Sequence, residues 1–339
     1  MVDEAGWGDG SMDWEFIFRA SLSAAIGTQA VVFCLAAIGL NVQFGYTGLL
    51  NFGQAAFLAV AGYGLAATVV TLEFNFWVGL VVGMGATVVL ALILGIPTLR
   101  LRADYLAIVT IAAAEIVRLF ARSVQFKDQL GGSDGLQGFA ATFYDLNPID
   151  PGLYKYGPFS YNEQQWWVII VGWGLVALWS LLIFLLMRSP WGRVLKGIRE
   201  DEDAVRSLGK NVYWFKMQSL ILGGLAGAFA GFVFAVAQDA VSPDAYATNL
   251  TFLIYVVLIL GGAARVFGPI LGALLFMFLT QFIDVVLAEA VDHEVITFLS
   301  DTQAAQVKLV LVGIGLMLLM IYRPQGIIGD RREIALDAR

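Results

Sequence analysis

Charge is what this sequence has least of. Only 14% of its 339 residues are Asp, Glu, Lys or Arg and 59% are hydrophobic, whereas a water-soluble domain is about 25% charged. Mean hydropathy is +0.78. That balance excludes an ordinary soluble enzyme or binding module and makes lipid the main solvent of the chain. Cysteine is reduced to Cys34, inside the first apolar run. One thiol closes no intrachain disulfide, and with no CxxC or Cys/His grouping it holds no metal, so Cys34 is expected to be a packing residue. His293 is the only histidine, which excludes a histidine metal cage or catalytic pair within the chain. No GxxxxGK[ST] loop is present to wrap nucleotide phosphates. A basic, aromatic-interleaved surface is missing too, so no nucleic-acid partner is expected.

What charge there is falls in few places. Asp3, Glu4, Asp9, Asp13 and Glu15 load the N-terminus, and Asp284, Glu289, Asp292, Glu294 and Asp301 load a late loop read at 284–302. The first apolar run has no positive region before it, so it reads as a first span behind a short polar tail and not as a cleavable signal. Residues 20–72 carry no charge at all. One helix of that length would reach about 80 Å against a hydrocarbon core of about 30 Å, so the run folds back. The natural break is Asn41 to Gly53, where glycines and amides cluster. Stretches long enough to cross are read at 16–40, 52–72, 76–98, 104–122, 166–187, 216–238, 246–264, 267–287 and 303–322, the last only if Lys308 snorkels. The expected fold is therefore all-α, a single polytopic transmembrane bundle of about 8–10 spans covering 1–339.

Lys and Arg set the orientation. Arg100, Arg102, the run from Arg188 to Lys216, Arg265, Arg323, Arg331, Arg332 and Arg339 fall on one side, 14 of the 20 basic residues. That side is expected to be the cytoplasm, with the N-terminus outside and the C-terminus inside. The loop 123–165 then faces outward; its length calls for short elements of its own or a docking role. The inner loop 188–216 is charged, opens on Ser189-Pro190, and spaces Val194, Leu195, Ile198, Val205 and Leu208 by about three and four. It reads as one or two amphipathic helices at the membrane surface.

Three intramembrane features are candidates for function. Asn41, Gln43, Asn51 and Gln54 sit in a glycine-rich stretch at apparent membrane depth, where irregular backbone is tolerated only in protein or beside a cavity. Gly261, Gly262, Gly268, Pro269 and Gly272 form a weaker second stretch of that kind. Glu115 lies about 16 Å beyond Asp104 along a helix, with Arg118 and Arg122 on the same face. An intramembrane carboxylate there either gates a wet path or pairs with Arg118. Gly223, Gly227 and Gly231 mark a close-packing helix face.

Five blocks together carry a family resemblance: GLNVQFGYTGLLNFGQAAFLAVAGYG (39–64), LRLRADYLAIVTIAAAEIVRL (99–119), GGSDGL (131–136), SPWGRVLKGIREDEDAVRSLGKN (189–211) and LGGAARVFGPILGALL (260–275). The chain resembles the LivM-like permeases of branched-chain amino-acid ABC importers, with urea and short-amide permeases as close relatives. Such permeases present a short cytoplasmic helix to the ATPase in a pattern like Glu-Ala-Ala, three residues, Gly. Asp203 to Gly209 follows that spacing with Asp for Glu and Val for the second Ala, and Arg199, Glu200, Asp203, Ala204 and Gly209 are the coupling candidates. The resemblance implies a non-enzymatic transport subunit of a prokaryotic inner membrane, importing Leu, Ile or Val by alternating access. No cofactor is implied in this chain, since ATP is bound by two partner subunits. A second homologous permease, as a heterodimer, and an extracytoplasmic substrate-binding protein complete the assembly. An ion-driven secondary transporter would need no docking helix, and an intramembrane enzyme would need a constellation the sequence lacks.

Overall fold

The structure, a computed structural model, describes residues 13–100 and 103–292, and of the last stretch Val307, 310–311, 313–315, 317–318, 321–323 and 325–329. The readings that rest on Arg102, the Asp104 and Asp292 side chains, His293, Glu294, Asp301, Lys308, the acidic residues before Asp13 and the arginines after Arg323 lie outside the described residues. Helices follow one another as α1 (Trp14–Ile26), α2 (Thr28–Leu40), a π-helical turn (Asn41–Tyr46), α3 (Gln54–Val70), α4 (Phe76–Thr98) and α5 (Ala103–Arg122). The segment that follows holds α6 (Lys127–Leu130), β1 (Leu136–Gln137), α7 (Ala141–Tyr144), β2 (Leu153–Tyr156) and β3 (Phe159–Asn162). Then come α8 (Glu163–Arg188), α9 (Pro190–Glu200), α10 (Glu202–Ser207), α11 (Val212–Gln238), β4 (Ala240–Val241), α12 (Thr248–Gly261) and α13 (Gly268–Asp292).

The chain is an all-α bundle, as its composition requires, and two two-stranded ribbons are its only described sheet, β1 with β4 and β2 with β3. Among the described residues, five helical stretches are long and apolar enough to cross a membrane alone: Thr28–Tyr46, Phe76–Thr98, Glu163–Arg188, Val212–Gln238 and Gly268–Val291. The stretch read at 303–322 lies partly outside the described residues, and within them two features depart from the spans read in the sequence. The stretch 16–40 is two helices and not one span, because Gly27 is extended (φ −66°, ψ 177°). The carbonyls released there are taken up by neighbours: the Tyr161 hydroxyl donates to Ser23 O, and Trp173 Nε1 donates to Ile26 O at 2.9 Å. Two apolar helices, α3 and α12, are shorter, and α12 at 14 residues extends only about 21 Å. A further correction concerns 284–302: Asp284 and Glu289 lie within α13 and not in a loop.

α11 is the axis of the packing, in contact with α2, α3, α4 and α8. Its glycine face packs inside this chain. A Cβ at Gly223 would meet Gly39 O and the Gln43 side chain, one at Gly227 the Gln54 amide and Phe57, and one at Gly231 the backbone of Leu58. Backbone approach of this kind replaces the hydrophobic drive that lipid does not supply. Cys34 is fully buried on α2.

The two ends of the bundle differ. At one end lie Arg100, stacked over Tyr213 at 5.4 Å, and α9, α10 and the start of α11 with their lysines and arginines. The opposite end is capped by 123–162, which does contain short elements of its own. Tyr144 donates to Val236 O at 2.8 Å and Trp167 Nε1 to Phe143 O at 3.2 Å. Burial and the nearby Asp239 carboxylate push the Tyr144 phenol up to about 12, so it stays a donor at neutral pH. Gly135 (φ +75°) closes the GGSDGL turn where a side chain would strike Val241 O, letting β1 reach β4.

Candidate functional site

The π-helical turn is where α2 stops being regular, and its amides hold the irregular backbone from several sides. Asn41 brackets the α12–α13 turn, with Nδ2 donating to Arg265 O and Oδ1 accepting from Ala264 N, each at 2.8 Å. Gln43 Nε2 donates to Leu220 O at 3.1 Å, and its Oε1 accepts from Asn51 Nδ2 at 2.8 Å. Thr47 Oγ1 bonds Val42 O at 2.8 Å and meets Ser219 Oγ at 2.7 Å. Asn51 Oδ1 accepts from Gly53 N at 2.8 Å, and Gln54 Nε2 lies 3.3 Å from both Ala36 O and Gly223 O. Asn41, Gln43, Asn51 and Gln54 are all at most 1% exposed. The structure thus brings these four together as buried brackets of the irregular backbone.

The next link is between two half-length helices whose starts meet inside the bundle. Thr251 Oγ1, in the first turn of α12, accepts from Ala55 N in the first turn of α3 at 2.9 Å. Thr110 Oγ1 of α5 accepts from Phe52 N at 3.0 Å, and Tyr255 donates to Asn51 O at 3.1 Å. Neither α3 nor α12 has a side-chain cap of its own; Thr251 takes up an amide that the start of α3 leaves open, while Thr110 and Tyr255 hold the loop that leads into it. Thr110, Thr251, Ser219 and Tyr255 were not singled out by the sequence. An isolated Thr or Tyr in an apolar run gives no local signal, since its partner lies 58 to 204 residues away.

Outside this layer, α5 and α12 present a face unlike the rest of the bundle. Phe52 stacks on Tyr255 (centroids 4.6 Å) and touches Phe252 (5.5 Å), giving an aromatic shelf whose Phe252 is 48% exposed. Beside it Arg118 grips Glu115 with two nitrogens, Nε to Oε2 at 3.0 Å and Nη2 to Oε1 at 2.6 Å. Arg118 Nη1 also bonds Asp244 Oδ1 at 2.8 Å, and Arg122 stands 3.5 Å from the same oxygen. Asp244 was missed in the sequence because it enters from the turn before α12. The exposed faces of α4 and α8 carry only apolar groups here, such as Val81, Val89, Ile93, Leu178, Leu181 and Leu185. Charge on a face turned to lipid is costly, so the α5/α12 face is better matched to protein or water opposite it.

At the basic end, α9 buries Gly192, Leu195 and Ile198 and joins α10 through one residue, Asp201. Asp201 caps α10 by accepting from Asp203 N and Ala204 N, both at 2.9 Å. Arg206 pairs with Glu202 at 2.8 Å and Asp203 at 2.7 Å, while Glu202 also binds Lys216 of α11. Gly209 (φ +75°) ends the helix. Glu200, Asp203, Ala204 and Gly209 are exposed, and Leu208 is 79% exposed. Arg199 is exposed too, but its head reaches back to the bundle, with Nη1 donating to Gly45 O at 2.6 Å.

A family model described as "Branched-chain amino acid transport system / permease component" matches residues 22–321. The chain is 29% identical to the high-affinity branched-chain amino acid transport system permease protein LivM of Salmonella typhimurium, over 93% of this chain and 72% of that protein. The corresponding LivM of Escherichia coli gives the same identity and coverage. A probable branched-chain amino acid transport permease protein LivM of Methanocaldococcus jannaschii is 25% identical over 88% of this chain and 91% of its own length.

Proposed function

The chain belongs to the family of branched-chain amino acid transport permease components, and from that premise we propose that it carries Leu, Ile and Val inward across a prokaryotic cytoplasmic membrane by alternating access. The observation that carries the path is the α5/α12 face, where an aromatic shelf and an ion-paired cluster stand on an otherwise apolar bundle. A second, homologous permease subunit closes over that face, and the path runs between the two. Asn41, Gln43, Asn51 and Gln54 shape its wall from behind, and Glu115 with Arg118 gates it. The basic end is cytoplasmic, the N-terminus is outside and the C-terminus inside.

Two separate subunits hydrolyse ATP and dock at α10, where Ala204 and, just past its end, Leu208 are left open. An extracytoplasmic binding protein docks on the cap 123–162 and delivers the amino acid. ATP closure inside and docking outside drive transport only through their different affinities for the two states of the bundle. The test is reconstitution of the chain with its partner subunits in proteoliposomes. Uptake of labelled Leu, Ile and Val is expected to need ATP and the binding protein and to persist when ionophores collapse ion gradients. Loss of uptake with the ion gradient would make it a secondary transporter. Competition by urea or short amides, with none by Ile, would reassign the cargo.

A further inference from the structure

We propose that Arg199 is a positioning residue that transmits the attitude of the ATPase-docking segment to the π-helical turn behind the transport path. The inference rests on α10 as the docking site and adds the part that carries its motion inward.

The contact is built from both sides. Gly48 N returns to Phe44 O and Leu49 N to Gln43 O, so the amides that follow the turn leave Gly45 O to the guanidinium, 2.6 Å away. A guanidinium on a carbonyl makes a charge-assisted, directional bond. Gly48 stands at φ +74°, and a side chain there would lie 3.3 to 3.7 Å from the Arg199 Cα, Cβ and Cγ. The glycine lets α9 seat directly on the turn. One helical turn earlier, Lys196 Nζ lies 5.8 Å from the centre of the Tyr46 ring.

From there the linkage runs unbroken in both directions. Toward the docking segment, Asp201 is the one residue between α9 and α10, and its carboxylate fixes the start of α10. Toward the path, Gln43 and Asn51 tie the turn to the loop that places Phe52 on the aromatic shelf, and Asn41 ties it to the end of α12. A π-helical turn is a local defect that rewinds with little rearrangement, which suits a moving part. The second tie from α10, Glu202 to Lys216, is less direct: it holds α10 to α11, which meets the turn one helical turn further on through Ser219 and Leu220. Arg199 therefore makes the most direct described hydrogen bond through which displacement of α10 reaches the break.

The experiment uses the full complex with its ATPase subunits. Leu50, half-buried on the loop after the turn, is replaced by cysteine, read without background because Cys34 is fully buried. Labelling rates are compared in nucleotide-free and vanadate-trapped complexes. The rate is expected to differ between the two states in the parent and to lose roughly tenfold of that difference in Arg199→Gln, within the usual range of coupling between sites. ATPase subunits still co-purify with the variant, and amino acid moved per ATP falls. Arg199→Lys, which keeps charge and is the milder change, restores part of the difference. An undiminished difference in Arg199→Gln, or no difference in a parent that retains its ATPases, overturns the proposal. A parent that retains no ATPase subunit fails at the reading of α10 itself, a result distinct from the other two.

Discussion

At the scale of the residue, the cluster on α5 makes the sharpest claims. Arg118 holds two carboxylates, Glu115 and Asp244, so its partners are not equivalent to it. Removing Glu115 leaves Arg118 paired with Asp244, whereas removing Arg118 leaves two carboxylates facing each other with only Arg122 nearby. Arg118→Gln is therefore expected to cost more stability than Glu115→Gln, about 1–3 kcal/mol for a lost charged hydrogen-bond set. The Glu115→Gln, Arg118→Gln double variant should recover part of the loss. Thermal unfolding of the purified complex gives the cycle, and the uptake KM separates roles. If Glu115→Gln left stability intact and raised KM steeply for zwitterionic cargo, Glu115 would touch the substrate and would not serve as a gate. A second residue-level outcome concerns Thr251→Val, which keeps the shape but strips the acceptor from Ala55 N. One unsatisfied buried amide costs about 1–3 kcal/mol, seen as a lowered melting temperature with α10 and its docking unchanged.

At the scale of the element, what the sequence made legible followed from length and solvent. The bounds of α4, Phe76–Thr98, coincide with the apolar stretch read at 76–98, because Asn75 caps it and an uncharged run has no other way to end. The irregular break after Leu40 was legible for the same reason, since amides and glycines have no place in a plain span. Gly27 was not legible, because one glycine in an apolar run is as compatible with close packing as with a break; only Tyr161 and Trp173, from the far end of the chain, decide it. The candidates from Glu200 to Gly209 were placed on an exposed segment, but the direction of Arg199 depends on a carbonyl 154 residues away. For α10 the expected outcome is that Gly209→Pro or Asp203→Lys uncouples ATP hydrolysis from uptake while the chain still inserts. Gly209 sits at φ +75°, closed to proline, whose φ is near −65°. Unchanged substrate-stimulated turnover in both variants, measured in proteoliposomes, would contradict the assignment of α10.

At the scale of the whole molecule, the bundle has two kinds of side, and this difference decides what surrounds it. A helix facing lipid has no reason to carry anything but apolar groups, as α4 and α8 do through Val81 and Leu181. A helix facing a partner across a wet path tolerates ion pairs, because water or protein repays part of their desolvation. α5 alternates exposed Ile108, Ile116 and Leu119 with Glu115 and Arg118, so on the proposed reading one helix would serve both a packing interface and a polar lining. Single cysteines at Ile116 and at Val81 test this, both being more than 60% exposed in the isolated chain. In the assembled complex, Ile116→Cys should react with a membrane-impermeant maleimide in one nucleotide state and be protected in the other. Val81→Cys should stay unreactive toward that reagent in both states and react with a lipid-soluble one. Exposure in the free chain is similar at the two sites, so any contrast comes from what covers them. Equal labelling by the lipid-soluble reagent, with none by the impermeant one at Ile116 in either state, would put α5 against lipid and move the path elsewhere.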